Sequence, residues 1–189
     1  MRRLPALNAE GLSDPARAVW DQVAGGRPTP SVDGDGGLLG PFNAWVHAPG
    51  IGRPLLEAGS VLLSATTLDR RLVELAIITT GAHWRAEFEW WAHARMAERH
   101  GVPADVIEAI GDGRDPGLSD ETDRAVHQVA RELASTGRLA DPTYQQAHAL
   151  LGDTALVELV TICGYYTLIS FTLNAFAVGL PTGAVPRWE

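Results

Sequence analysis

Residues 159–180, LVTICGYYTLISFTLNAFAVGL, carry no charged side chain over 22 positions. This run restricts the fold more than any other. As a helix it would be about 33 Å long and apolar on every side, so it must be hidden in a bilayer, a core or a subunit contact. Thr161, Thr167, Ser170, Thr172 and Asn174 interrupt it, Glu158 precedes it, and no basic cluster flanks it. These features favour a helix buried in a core or at a subunit contact, and no membrane partner is expected.

Punctuation divides the rest of the chain into further helices. Ser13 and Pro15 open one over 15–24, and a Gly- and Pro-dense loop follows over 25–40. That loop reads as a surface loop or as a lid over a pocket. Residues 41–47 and 54–64 look like two short helices with Pro49 and Gly50 between them. Leu68, Leu72, Leu75 and Ile78 recur at three- and four-residue steps, which predicts an amphipathic helix over 68–80 that Gly81 weakens or ends. Helical spacing resumes over 84–100 and stops at Gly101. Pro103 and Gly111 bracket the next helix, and Ser119 caps one reaching about Ser135. Asp141-Pro142 begins another that Gly152 closes, with Asp153 capping the last. No segment alternates with period two. The expected fold is all-α, with about seven to eight helices.

The formal net charge of −8 argues against nucleic acid as an electrostatic partner. A single cysteine, Cys163, cannot form an intrachain disulfide, and the first residues lack the apolar core of a signal peptide. A cytoplasmic location is therefore expected. Asp33 and Asp35 do not make a calcium loop, because Ala44 stands where a bidentate Glu is needed. The glycines of 34–36 do not complete a dinucleotide fingerprint.

Chemistry concentrates in 74–100, which holds three of the six Trp and three of the six His together with Glu74, Glu87 and Glu89. Ala86, Glu89, Trp90, His93, Ala97 and His100 fall on one helical stripe, so Glu89 and His93 can touch at i, i+4. His83 and Glu87 are spaced alike but lie on a different face. Glu74 reaches His93 only if a turn near Gly81 folds the chain back. Three uses are open for these groups. They could form a structural ion pair at a helix contact or contribute to a metal site from His83, Glu87, Glu89 and His93. They could also form a general acid–base pair, with imidazole titrating near neutrality beside a carboxylate. The different faces and the lack of an HExxH motif argue against metal, and none is expected. No G-x-S-x-G elbow is present, and Cys163 reads as an inert core thiol.

These residues also carry a resemblance. Arg71-Leu72-Val73-Glu74-Leu75-Ala76-Ile77, His83-Trp84, Glu87-Phe88-Glu89-Trp90 and His93 resemble the carboxymuconolactone decarboxylase / alkylhydroperoxidase D-like superfamily, in its branch lacking the C-x-x-C pair. Residues 40–45 with His47 and Pro49, residues 164–166 and residues 173–176 are similar to the same branch. The resemblance spans 37–181, between an N-terminal arm, short helix and loop (1–36) and a C-terminal tail (182–189).

The resemblance implies an AhpD-like helical fold assembled as a trimer or hexamer. Glu74 and His93 match a thiol proton relay's Glu and His by spacing, but Ala86 and Glu89 occupy the positions of its cysteines. Thiol peroxidase activity is therefore not expected. The decarboxylase members imply a cofactor-independent lyase on a small carbonyl or lactone compound. His93 would then donate a proton with Glu74 or Glu89 orienting it, and Arg85 or Arg71 would anchor a carboxylate. Trp84, Phe88 and Trp90 would form apolar walls, with His83 in support. An isomerase, hydratase or cyclase on the same scaffold, or a non-catalytic small-molecule-binding oligomer, is the alternative.

Overall fold

The computed structural model describes residues 2–25 and 32–188. Among these the chain is all-helical: α1 (Asp14–Gly25), α2 (Phe42–His47), α3 (Pro49–Ser64), α4 (Arg70–His83), α5 (Glu87–Arg99), α6 (Ala104–Gly111), α7 (Glu121–Thr136) and α8 (Asp141–Ala175). The one β-like feature is an isolated bridge between Val32 and Leu38. Residues 26–31 of the 25–40 loop lie outside the described residues, and the reading of that loop as a lid falls partly on them. Of the described part, Leu38 is fully buried.

The helix hidden on all sides is α4. Its residues 72–81 are all buried, and it packs against α5, α6, α7 and α8. The uncharged run, expected to be the buried element, instead hides one face. Leu159, Ile162, Cys163, Tyr166, Ile169 and Leu173 join the core, while Val160, Leu168 and Phe171 remain exposed. By length and composition α8 is the one helix among the described residues able to cross a membrane. Its backbone breaks at Gly152 (φ 75°, ψ 177°), a left-handed value that favours a residue without Cβ, so two helical segments meet there.

Three boundaries differ from the sequence expectation. A single helix, α3, starts at Pro49 and carries Pro54 inside it on the exposed side, where water can satisfy the carbonyl left without a donor. Gly81 does not end α4, because it is packed: a Cβ there would meet Glu89 Cγ at 3.4 Å. Asp120, not Ser119, caps α7, accepting from the amides of Thr122 and Asp123.

Both ends of the chain are tied to this body. Asn43 accepts from the Leu7 amide and donates to the Pro5 carbonyl, and Arg3 donates to the Ala175 carbonyl. At the other end Arg187 and Trp188 donate their amides to Glu87, and the Trp188 indole donates to the Gly111 carbonyl.

Candidate active site

The site begins with the turn between α4 and α5. Arg85 takes a left-handed backbone (φ 46°), its amide bonds the Ala82 carbonyl, and the Ala86 amide bonds the Gly81 carbonyl. This reversal lays α5 back along α4 and brings His93 to Glu74 across 19 positions. His93 Nδ1 donates to Glu74 Oε2 at 2.7 Å, and His93 Nε2 lies 3.1 Å from Glu89 Oε1. Behind them Arg70 Nη2 sits 2.6 Å from Glu74 Oε1. The result is a row of alternating charge: Arg70, Glu74, His93, Glu89.

Glu74 is fully buried, so its charge is held by Arg70 and His93 rather than by water. Burial opposes a charged His93, but Glu89 and then Glu74 outweigh it and hold its pKa above the ordinary imidazole value. Burial raises the Glu89 pKa, His93 opposes the shift, and Glu74 adds to it. Glu89 Oε1 accepts no aligned hydrogen bond among the described residues; the His93 contact is close but off-axis. A buried carboxylate of raised basicity with an open acceptor is suited to taking a proton.

Glu89 and His93 line a cavity of about 500 Å³ whose walls include Phe42, Trp45, Leu56, Phe88 and Ile169. Gly40 shapes it: at φ 66° a Cβ would lie 2.7 Å from the Phe88 ring. Tyr166 packs edge-on to His93 at 5.1 Å. It is 3% exposed, lines the cavity, and its hydroxyl has no hydrogen-bond partner among the described residues. Burial, then Glu89 and Glu74, push its pKa well above the usual phenol value, so it stays a donor. Its neighbour Tyr165 donates to the Leu55 carbonyl at 2.8 Å.

The structure thus gathers Glu74, Glu89, His93 and Phe88 at one place. The other expected site residues lie elsewhere. Arg71 pairs with Asp123 on α7, because it faces the far side of α4. Arg85 and His83 line a different cavity, turned away by the reversal they belong to. Trp84 packs edge-on to Phe171, and its carbonyl accepts from Asn174, pinning the turn to α8. Trp90, one position beyond Glu89, faces the tail, with Trp188 edge-on to it and Arg187 over its ring. Among the described residues, no arginine or lysine lines the Glu89–His93 cavity. Arg70 and Tyr166 are the functional residues missed. Arg70 was signalled by its i, i+4 spacing to Glu74, whereas Tyr166 reaches the site only through the packing of α8.

Cys163 is 3% exposed, and burial pushes its thiol up to about 12. A thiol held protonated is a poor nucleophile.

No family model matches the sequence, and no curated protein matches it. Solved structures do share the fold. An alkylhydroperoxidase AhpD core, an uncharacterised peroxidase-related protein from Ralstonia eutropha, superposes with a TM-score of 0.74 at 16% identity, over 98% of this chain and 97% of its own. A peroxidase-related protein from Silicibacter gives 0.74 at 11%, over 96% and 92%. The debrominase Bmp8 gives 0.67 at 12%, over 92% and 88%, and its C82A variant has been solved with 2,3,4-tribromopyrrole. The chain has the AhpD-like fold, shared with proteins that include an enzyme acting on a small molecule.

Proposed function

We propose that this protein is a cofactor-independent acid–base enzyme that moves a proton on a small, uncharged carbonyl or lactone compound. The observation that carries this reading is the Glu89–His93 pair lining an aromatic cavity, with Glu74 and Arg70 fixing the imidazole from behind. In this reading the Glu89 carboxylate takes a proton from the carbon beside the carbonyl. The electron pair moves onto the carbonyl oxygen, where the Tyr166 hydroxyl donates a hydrogen bond to the enolate. The His93 imidazolium returns a proton to carbon, and Glu89 then reprotonates His93.

A carboxylated substrate fits less well. Decarboxylation asks for a cation to seat the leaving carboxylate, and both arginines expected for that task are elsewhere. Isomerisation by proton transfer is therefore favoured over a decarboxylating lyase.

The test is deuterium exchange into a panel of small cyclic ketones and lactones in D₂O, followed by proton NMR. Wild-type protein is expected to exchange at least one compound, and Glu89→Gln to slow it by ~10²–10⁴-fold. Compounds that occupy the cavity, seen as quenched Trp45 fluorescence, yet exchange equally with both proteins would reject the assignment.

A further inference from the structure

The second cavity of the molecule, about 490 Å³, opens on the other side of the α4–α5 pair and shares no lining residue with the first. Four arginines line it: Arg85 from the turn, Arg114 after α6, Arg131 on α7 and Arg187 from the C-terminal tail. Among the described residues, Asp112 is the one carboxylate in the lining. Arg114 Nη2 and Arg187 Nη2 both reach it, at 2.9 and 2.7 Å, and Glu108 lies 2.9 Å from Arg187 Nη1. That leaves the guanidinium groups of Arg85 and Arg131 with no ion pair or hydrogen bond among the described residues. Both groups are exposed to solvent and face the same concave wall, so both are free to meet a bound anion.

His127 supplies an independent observation. It is 8% exposed, lines this cavity, and has no hydrogen-bond partner among the described residues. A buried imidazole normally finds a partner in the protein or in ordered water, so one that faces a cavity with no protein partner leaves its N–H available to a molecule bound there. The buried Arg187 Nε is likewise without an acceptor. Ile110, Ala82 and Trp188 give the same cavity an apolar side.

We propose that this cavity is a binding site for a small organic anion, an apolar body bearing a phosphate or carboxylate group. Arg85 and Arg131 hold the charged oxygens, the His127 imidazole N–H donates to one of them, and Trp188 and Ile110 cover the apolar part. Guanidinium forks suit both oxyanions. Burial, then Arg131, lowers the His127 pKa to about 4 against the pull of Asp115. The ring therefore meets the anion as a neutral donor. The site is separate from the proposed acid–base cavity and stands or falls without it.

Isothermal titration calorimetry at constant ionic strength tests this with phenyl phosphate, inorganic phosphate and benzoate as probes. Saturable one-site binding of phenyl phosphate or benzoate is expected, weakened at least tenfold in the Arg85→Ala/Arg131→Ala double variant. The inorganic phosphate arm tells a phosphoryl site from a carboxylate site. Both substituted residues are exposed, so the double variant is expected to fold, and its circular dichroism checks that. No saturable binding of phenyl phosphate or benzoate, or binding unchanged in the double variant, overturns the proposal.

Discussion

The two cavities flanking α4 and α5 each contain a buried histidine, and the two rings are held in opposite states. His93 sits between two carboxylates and is biased toward its charged form; His127 has an arginine beside it and no bonded partner, and is biased toward neutrality. Burial opposes the charge on both. The presence of Glu74 and Glu89 alone reverses the outcome for His93. One fold thus sets a histidine among carboxylates on one side and a histidine beside arginines on the other.

The largest expected effect breaks the first cavity's row of charges. Glu74→Gln leaves Arg70 and His93, both only partly exposed, without the fully buried carboxylate between them. Removing one member of a buried pair costs about 3–5 kcal/mol. Asp112→Asn in the second cavity removes an acceptor that water already reaches, so its loss is expected to be much the smaller. Urea unfolding of both variants at neutral pH compares them, and equal losses would show that the row of charges is not held in a desolvated setting.

Stability against pH is expected to separate the two histidines by sign. His93 binds its proton more tightly folded than unfolded, so its contribution is complete below about pH 6.5 and lost as pH rises through its raised value. Glu89, also raised, acts in the same direction from about 4.5 upward. His127 is lowered to about 4, so its contribution is present above about 6.5 and lost as pH falls toward 4, by about 3 kcal/mol at most. His127→Phe should flatten the acid side of the profile and His93→Phe the alkaline side. Urea midpoints at pH 5, 6.5 and 8 measure both, and an acid-side slope that survives His127→Phe would refute the neutral state assigned to that ring.

What the sequence could disclose of these two cavities follows from how far apart their parts lie along the chain. The Glu89–His93 contact is one helical turn, so spacing alone announced it. Glu74–His93 depends on a reversal at Arg85, a residue type that rarely takes a left-handed backbone, and Gly81 was the more conspicuous breaker. Gly81 turned out to serve the approach of Glu89. Arg71 resembles a carboxylate anchor in the sequence, but Asp123, 52 positions away, takes it, and Arg70, four positions before Glu74, is the arginine that faces the site. The second cavity draws on the α4–α5 turn, the end of α6, α7 and the tail. No local pattern joins those four, so spacing does not disclose that Arg85 and His83 line a different cavity from His93. The helices themselves were legible because caps, glycines and three-to-four spacing are local. The burial of α4 rather than α8 was not, because both helices are apolar and only packing order decides which is covered on every side.

The smallest expected effect sharpens the account of His127. Two causes lower its pKa, burial first and Arg131 second, while Asp115 opposes them. Arg131→Ala removes the second cause and leaves the first, so the ring should titrate above its value of about 4 yet still below the ordinary 6.5. Because Arg131 is exposed, much of its field is screened by water and salt, and the shift should shrink further as ionic strength rises. Histidine-selective NMR titration of the variant reads this directly, with His93 as the internal reference, since its neighbours are unchanged. If His127 in the variant titrates at or above 6.5, charge rather than burial keeps the ring neutral. The contrast between the two histidines would then rest on their neighbours alone.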